Sequence, residues 1–333
     1  MKALTFKRYG KSPEIGFADL PRPTPGADEL LVQVHAASVN PIDNMIPTGI
    51  FKAVVKFQLP ATLGSDLAGI VTEVGSGVTR FKVGDEVFAN IFDQGTGSIA
   101  EFAVVPESAA ALKPANLDFV QAASIPMVGL TSWQALKGRI NLQPGQKVFI
   151  PAGSGGIGTF AIQLAKLLGA RVGTTTSTGN VELVRGLGAD EVVDYTKQAF
   201  ETWLRDYDAV LGTVRGDSIE KSIGILKARG KIVSLVGPLD VAFARARRLH
   251  FVLTFVFALM SRKVMRLATK HDVDYSFLFA RPDGDQLAQI GKLLETQRIR
   301  PVIDKVFPFD QAKKALDYLA QGRSKGKVVV QMR

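Results

Sequence analysis

The sequence contains no cysteine. Disulfide bonds, thiolate zinc sites and a cysteine nucleophile are therefore all excluded. Histidine is also scarce, with His35, His250 and His271 far apart along the chain. A metal site would have to rely mainly on carboxylates, and we expect none.

Long apolar runs are missing as well. The longest, Phe251–Met260, is interrupted by Thr254 and is far short of the roughly 20 residues that a membrane-spanning helix needs. Arginines flank it on both sides, so it is interpreted either as a helix buried in a domain or dimer interface, or as a peripheral contact with an anionic membrane. The opening residues, Met1–Phe6, form no apolar secretion signal, which predicts a cytoplasmic location.

Charge is unbalanced in this chain of 333 residues. Lysine and arginine number 41 against 31 aspartates and glutamates, giving a net charge of +10. Such a field favours anionic partners, either a phosphorylated cofactor or RNA. No recognised nucleic-acid module is present and the basic residues are dispersed, so nucleic acid is not expected as a partner.

A glycine-rich segment matches the dinucleotide-binding fingerprint: Gly153-Ser154-Gly155-Gly156-Ile157-Gly158. The apolar run Val148–Ile150 precedes it as a buried strand, and apolar residues at helical spacing follow it. Glycines at such a turn let the backbone approach a pyrophosphate, while the helix N-terminus supplies unpaired N–H groups. The segment therefore predicts a dinucleotide cofactor.

The pattern of short elements changes along the chain. Up to about residue 122, short apolar strands alternate with Gly, Pro and Asp turns, as in a barrel-like domain. Between 123 and 300, strands alternate with helices, which is typical of a doubly wound parallel sheet. One of these strands is predicted over 231–236. The last segment has a helix over 309–321 and a strand over 327–331, expected to pack on the first domain. We therefore predict an α/β protein with a substrate domain (1–122 and 301–333) and a Rossmann domain (123–300).

The end of the second Rossmann strand indicates which cofactor binds. An acid there would bond the ribose 2′-hydroxyl of NAD, but residues 174–180 contain only Thr, Ser, Gly and Asn. The absence of the acid favours NADP(H), with Arg185 or Tyr195 adding to a 2′-phosphate site. The hydroxyl residues alone would also fit an ordinary solvated strand end.

Several ordered segments span almost the whole chain: residues 37–43, 64–69, 75–87, 129–132, 153–158, 187–195 and 326–330. Together they resemble those of the medium-chain dehydrogenase/reductase superfamily, in its zinc-independent quinone oxidoreductase (zeta-crystallin-like) and alkenal/enone reductase branch. The resemblance implies a GroES-like domain beside the Rossmann domain, and a homodimer. Zinc-dependent relatives carry a cysteine near Asn40 and a histidine near Ser65, and this chain has neither.

Cofactor contacts implied by the resemblance come from residues across the chain. The phosphate-binding turn would act through Ser154, Gly156 and Ile157, and the 2′-phosphate would meet Ser177 and Tyr195. Many relatives carry a lysine where this chain has Asn180. The resemblance also places Thr131 near the nicotinamide, as a catalytic candidate together with Asn40. It places Val236 and Phe279 along the cofactor cleft, and Lys325 and Lys327 near the cofactor phosphates or bracing Asp43.

These features predict hydride transfer from NADPH to a quinone or to the C=C bond of an α,β-unsaturated carbonyl. Asn40 is the candidate donor to the substrate oxygen, although a turn residue before Pro41 would look the same. Asp43 and Lys327 are interpreted as a structural ion pair rather than as catalytic groups. The alternative function is an NADPH-binding protein with little catalysis that acts as a structural, membrane-peripheral or regulatory partner.

Overall fold

The computed structural model describes residues 1–52, 54–55 and 57–332. It divides into two compact units. Unit 1 comprises Met1–Leu130 and Arg281–Arg333, and unit 2 comprises Thr131–Ala280. Unit 2 is thus one continuous segment, whereas unit 1 is assembled from two.

The described residues form strands throughout the chain. In order they are β1 (Lys2–Phe6), β2 (Ile15–Asp19), β3 (Glu29–Val39), β4 (Ala61–Thr62), β5 (Asp66–Val74), β6 (Glu86–Asn90), β7 (Phe102–Pro106), β8 (Ala110–Leu112), β9 (Lys147–Ile150), β10 (Arg171–Thr176), β11 (Glu191–Asp194), β12 (Tyr207–Gly212), β13 (Leu226–Ser234), β14 (Asp274–Phe277), β15 (Ile303–Pro308) and β16 (Lys327–Gln331).

Helices connect and cover these strands. They are α1 (Pro41–Met45), α2 (Phe119–Ala123), α3 (Pro126–Trp133), α4 (Gly156–Leu167), α5 (Val181–Gly186), α6 (Phe200–Trp203), α7 (Ser218–Ile223), α8 (Val241–Ala246), α9 (Phe251–Lys270), α10 (Gly284–Glu295) and α11 (Ala312–Ala320). A π-helix over Gln134–Ile140 continues from α3. No helix in the described part of the chain combines the length and apolar character needed to cross a bilayer.

Unit 1 is built around β3. Its sheet has the order β15-β16-β3-β5-β6-β8, with β7 also paired to β3, and a smaller sheet has the order β2-β1-β4. Most side chains of β3 are buried, including Leu30, Leu31 and Val32. The strand over 327–331 pairs antiparallel with β3, so the last segment packs on the first domain, as the sequence predicted.

Unit 2 is a parallel sheet with the order β11-β10-β9-β12-β13-β14. Chain order reverses between β9 and β12, which is the doubly wound arrangement. The core between the sheet and its helices includes Phe149, Val210 and Ile232 on strands, with Val264 and Ala268 on α9. The α/β fold class predicted from the alternation of strands and helices is confirmed.

The boundaries between the compact units lie at 130/131 and 280/281. They differ from the boundaries 122/123 and 300/301 that we expect for the functional domains. Helix α10 lies in unit 1, where its N-terminal Gly284 packs close to Ala110 O of β8 and Asn116 Nδ2 donates to Leu294 O at 3.1 Å. Helical periodicity alone cannot show which unit a helix packs against, and the functional division stays a prediction. Strand β13 begins at Leu226 and ends at Ser234, whereas the sequence predicted 231–236.

Candidate functional site

The glycine-rich segment leaves β9 and begins α4, as its fingerprint predicted. Ala152 N donates to Thr175 Oγ1 at 3.0 Å, and Gly153 N donates to Thr175 O at 2.9 Å. These two bonds hold the turn against the end of β10. The neighbouring strand β10 therefore holds the turn in place.

The glycines of this turn have different roles. A Cβ on Gly153 would lie 2.2 Å from Thr174 Oγ1, and one on Gly158 would lie 2.5 Å from Ala152 O. Both residues are thus required for α4 to pack against the strands. A Cβ on Gly155 would meet only Ala152 O, at 3.3 Å. The open space at Gly155 is a cradle of the kind that a pyrophosphate fills.

Helix α4 presents its N-terminus at this cradle. Gly155 is the N-cap and supplies no side-chain cap, and the first turn closes with Thr159 N donating to Gly155 O at 2.9 Å. The N–H groups before Thr159 have no partner within the helix, and the helix dipole adds a partial positive charge. Gly156 and Ile157 therefore stand where backbone N–H groups bind anions.

The turn lies at the point where strand order reverses. Thr213, which follows β12, donates its Oγ1 to Pro151 O at 2.7 Å, tying the loop after β12 to the loop after β9. Ligands of doubly wound sheets bind outside the carboxyl ends of the strands at this position. The fold thus places the fingerprint where a dinucleotide would bind.

The end of β10 forms a polar cluster with the turn. Thr176 Oγ1 donates to Ser154 Oγ at 3.0 Å, and Asn180 Nδ2 lies 3.3 Å from Ser154 Oγ and 3.2 Å from Ser177 Oγ. Within the described structure, Asn180 Oδ1 is buried without a partner. The sequence predicted Ser154 and Ser177 but not the bridging role of Asn180, which depends on the turn over 178–180.

The Ser154 and Ser177 hydroxyls both accept from Asn180 Nδ2. Each keeps its own hydrogen for a further acceptor, because a hydroxyl both donates and accepts. The cluster therefore has the donor chemistry of a phosphate site.

Residues after β11 complete this region. Tyr195 N donates to Thr176 O at 3.1 Å, while the Tyr195 side chain is 62% exposed. Arg185, considered as an alternative phosphate contact, instead pairs with Glu182 at 3.1 Å on the surface. Its guanidinium is engaged within its own helix.

Sequence reasoning missed one acid near this cluster. Parallel pairing sets Asp194 beside Thr176, although Asp194 lies far from the end of β10 in sequence. Hydrogen bonds from Thr178 and Thr196 lower the pKa of Asp194 to about 2, so its carboxylate is charged and held by these threonines. Strand register was the signal that could have found it.

Other predicted cofactor residues also follow strands of this sheet. Val236 follows β13, and Phe279 follows β14 with its ring 5.8 Å from that of Phe243. The residues after β9, β10, β11, β13 and β14 therefore share one edge of the parallel sheet. Thr131 is buried in α3 at the start of unit 2, and Lys325 is exposed in unit 1.

Unit 1 contains a buried polar network centred on Asp66, which sequence reasoning did not single out. One oxygen, Oδ2, accepts from Ser38 Oγ and Asn40 Nδ2, each at 2.9 Å. The other, Oδ1, accepts from Asn90 Nδ2 and Met127 N, each at 2.8 Å. Asp66 is thus a buried carboxylate whose two oxygens are both satisfied.

Lys327 pairs with this carboxylate, not with Asp43 as expected. Its Nζ lies 3.3 Å from Asp66 Oδ2 and donates to Asn40 Oδ1 at 2.5 Å. Desolvation lowers the pKa of Lys327, opposed by the charges of Asp66 and Asp43. The correction follows from the fold, because strand pairing sets β16 beside β3 and brings Lys327 to the end of that strand.

Asp43 has a separate role beside the network. Its Oδ2 accepts from Asn40 N at 2.7 Å and its Oδ1 from Ser65 Oγ at 3.0 Å. Desolvation in this fully buried position, with the repulsion of Asp66, raises the pKa of Asp43 to about 7, against the two hydrogen bonds and the charge of Lys327. Asp43 can therefore gain or lose a proton near neutral pH.

Asn40 is held at both ends of its amide. Asp66 takes one of its two Nδ2 hydrogens, and its Oδ1 accepts from Lys327. One amide hydrogen remains for a further acceptor. A small cleft beside this network is lined by Ser65 and by apolar residues that include Ile46, Phe57 and Phe92.

The groups at this position do not fit a catalytic zinc. Zinc sites use thiolate, imidazole and carboxylate ligands. Here the amide of Asn40 and the hydroxyl of Ser65 are the nearby side chains, and the Asp66 carboxylate is already paired with the Lys327 ammonium. Among the described residues, no group of three His, Cys, Asp or Glu side chains could hold a metal ion.

Comparisons with known proteins agree over the whole chain. Residues 26–115 match the family model "Alcohol dehydrogenase GroES-like domain", and residues 187–330 match "Zinc-binding dehydrogenase". The NADPH-dependent alkenal/one oxidoreductase of Arabidopsis thaliana chloroplasts is 34% identical, covering 99% of this chain and 79% of the relative. The mitochondrial NAD(P)H oxidoreductase RTN4IP1 of Danio rerio is also 34% identical, covering 99% and 91%.

A solved structure confirms the fold. The quinone oxidoreductase from Coxiella burnetii superposes with a TM-score of 0.85 at 32% identity, covering 100% of this chain and 99% of that one. Both compact units thus have counterparts in one known architecture. The predicted combination of a GroES-like domain and a Rossmann domain is confirmed.

Proposed function

Since the chain belongs to the medium-chain dehydrogenase/reductase superfamily, in the branch of quinone and alkenal/one oxidoreductases, we propose that it is an oxidoreductase that uses NADPH. Its substrate is a quinone or the C=C bond of an α,β-unsaturated carbonyl. The observation that carries the proposal is the Gly155 cradle at the N-terminus of α4, beside a strand end without a ribose-binding acid.

NADPH fits the residues of unit 2. Gly155, Gly156 and Ile157 would hold the pyrophosphate through backbone N–H groups. Ser154 and Ser177 would meet the 2′-phosphate through their hydroxyls, which Asn180 positions, with the Tyr195 side chain beside them. The nearest acid, Asp194, is bound by threonines and supports no ribose contact in this geometry. Val236, Phe279 and Lys325 are proposed as further cofactor contacts, and Thr131 as a catalytic residue near the nicotinamide.

The bound nicotinamide would supply the hydride, and the protein would stabilise charge on the substrate oxygen. Asn40 is the group we assign to that task, because Nδ2 retains one hydrogen after bonding Asp66. The Lys327 ammonium at Asn40 Oδ1 polarises the amide and strengthens its N–H donor. We assign to Asp43, whose pKa lies near neutrality, the supply of the proton that the substrate needs after hydride transfer. This proton would pass through Ser65, which is hydrogen-bonded to Asp43.

We propose that this chemistry proceeds without zinc. A quinone or an enone is already electrophilic, so a donor such as Asn40 suffices where an alcohol substrate would need a Lewis acid.

We further propose that the protein is a homodimer, which analytical sedimentation checks. We also propose that it is located in the cytoplasm. Cell fractionation checks this location, because relatives are named as mitochondrial or chloroplastic.

The test is oxidation of NADPH by purified protein with 1,4-benzoquinone, 9,10-phenanthrenequinone and a series of alkenals and enones. NADH serves as the comparison cofactor. Saturable turnover that selects NADPH is expected, and the best acceptor names the substrate class. Tight NADPH binding without turnover on the whole panel would contradict the reductase and favour a non-catalytic NADPH-binding protein.

A further inference from the structure

The first half of α9 exposes a contiguous apolar surface. Its largest side chains are Phe251 at 74% exposure, Phe255 at 64% and Leu259 at 54%. Residues of a helix turn by about 100° per position, so these side chains share one face. The buried side chains, such as Val264 and Ala268, lie on the opposite face. We name as the α9 patch Phe251, Val252, Phe255, Val256, Leu259 and Met260, all exposed.

This exposure differs from the expectation of a helix buried in the domain. A sequence with apolar residues on nearly every position from 251 to 260 fits burial on all sides. In the structure, only one face of α9 packs into unit 2. Single exposed apolar side chains are common, but six adjacent ones on one helix mark an interaction surface.

Cations bracket the α9 patch at both ends. Between residues 241 and 271 the chain has no aspartate or glutamate, and it has these basic residues: Arg245, Arg247, Arg248, Arg262, Lys263, Arg266 and Lys270. Lys263 pairs with Glu220, and Arg247 lies over Phe243 and Phe279. The others are exposed and form no ion pair with described residues: Arg245, Arg248, Arg262, Arg266 and Lys270.

We propose that α9 docks the protein on an anionic lipid surface. The α9 patch enters the boundary between headgroups and acyl chains, while the flanking arginines contact lipid phosphates. The apolar length, about 15 Å from the helical rise, suits a helix lying in the surface plane. No helix of the described structure is suited to span a membrane, which agrees with a surface contact.

The basic residues that flank the α9 patch favour an anionic lipid surface over a second copy of the chain. A two-fold dimer through this face would bring identical surfaces together and set arginines against arginines. An anionic surface instead neutralises each of these cations. Nucleic acid would use the cations but would leave the α9 patch in water.

Vesicle co-sedimentation tests the proposal with the full-length protein. Vesicles of phosphatidylcholine alone are compared with an equimolar mixture of phosphatidylcholine and phosphatidylglycerol. The wild-type protein is expected to sediment with the mixture only, and less as salt is raised. Loss of two cations in Arg262→Gln/Arg266→Gln should weaken the partition about tenfold or more. The control Arg8→Gln/Arg298→Gln removes the same charge from unit 1 and should bind as the wild type does.

A second variant tests the apolar half of the surface. Phe251→Ser/Phe255→Ser/Leu259→Ser should also lose binding, whereas Trp203→Ser, at a side chain 66% exposed elsewhere in unit 2, should not. All these positions are on the surface, and unchanged circular dichroism and melting temperature confirm folding. Failure to bind the anionic vesicles, an equal loss in both control variants, or a triple variant that only dissociates a dimer would each overturn the proposal.

Discussion

The ammonium of Lys327 lies 3.3 Å from the carboxylate of Asp66, and both side chains are buried. A fixed cation on β16 is thus bonded to Asn40, because Lys327 Nζ also donates to Asn40 Oδ1. Its charge reaches the proposed substrate through the amide of Asn40.

Removing this cation should destabilise the protein. Lys327→Met keeps most of the side-chain volume but leaves the Asp66 carboxylate buried without its counter-ion, a loss of about 3–5 kcal/mol. Urea unfolding measures it as a lower midpoint at unchanged slope. The control is Lys325→Met, two residues earlier at an exposed position, for which the change should stay within about 0.5 kcal/mol. Equal midpoints for the two variants would show that the pair contributes no stability.

Asp43 should make stability depend on pH. Its pKa is raised from 3.8 to about 7, so the folded protein holds this proton more tightly than the unfolded chain does. The contribution of Asp43 to the free energy of unfolding is therefore complete below pH 3.8. It is lost as pH rises toward 7, by about 1.4 kcal/mol per pH unit.

Asp43→Asn imitates the neutral acid, since its amide can donate to Ser65 while its oxygen accepts from Asn40 N. Denaturant unfolding of both proteins across this pH range gives the difference. The wild type should lose stability relative to the variant as pH rises. A difference that stays constant with pH would contradict the raised pKa.

Asn40 is expected to affect turnover rather than cofactor binding. Asn40→Ala removes the proposed donor to the substrate oxygen, and kcat should fall roughly a hundredfold. The dissociation constant of NADPH should stay unchanged, because the proposed contacts with its pyrophosphate and 2′-phosphate at the glycine turn and β10 lie in unit 2. Asn44→Ala, in the same helix α1, removes an amide that bonds Leu316 O and serves as the matched control. A parallel loss of NADPH affinity in Asn40→Ala, or the same fall in kcat for both variants, would remove Asn40 from the mechanism.

Substitutions at Gly153 and Gly155 should distinguish a glycine needed for packing from a glycine needed for NADPH binding. Gly153→Ala places a Cβ 2.2 Å from Thr174 Oγ1 and should cost about 1–3 kcal/mol of stability. Gly155→Ala meets only one atom at 3.3 Å and should fold nearly as well, yet its methyl group fills the cradle. NADPH titration should therefore show weakened binding for Gly155→Ala at a near-normal melting temperature. Normal NADPH affinity in that variant would place the pyrophosphate elsewhere.

Asn180 should govern the preference for NADPH. Asn180→Asp adds a negative charge beside Ser154 and Ser177, where the 2′-phosphate is proposed to bind. KM for NADPH should rise at least about tenfold through charge repulsion, while KM for NADH changes little. Asn180→Ala removes the amide without adding charge and should have a smaller effect. Equal changes for both cofactors would show that the phosphate does not lie here.

Features encoded locally could be predicted from the sequence. The glycine turn, its strand and its helix lie within a short segment, so their residues alone indicated the dinucleotide site. The strand over 327–331 was found with its bounds as observed, because three consecutive valines lie shortly after a turn. Bounds that depend on tertiary packing, such as the start of β13, were less accurate.

Features that join distant residues could not be predicted. Asp66 and Lys327 meet only because β16 pairs with β3, and no pattern within either segment indicates that contact. Asp194 reaches the end of β10 through strand register. The sequence left open whether α9 is buried or exposed for a related reason, since an apolar run does not reveal which of its sides the rest of the protein covers.

The pairing of β16 with β3 also sets an order of assembly during synthesis. Residues 131–280 form unit 2 as one uninterrupted segment, so this unit can fold while the ribosome is still adding later residues. Unit 1 must wait for residues 327–331, which are translated almost three hundred residues after their partner strand. Until they emerge, Asp66 has no counter-ion and β3 keeps an open edge. The nascent chain therefore carries a complete unit 2 before unit 1 can be completed.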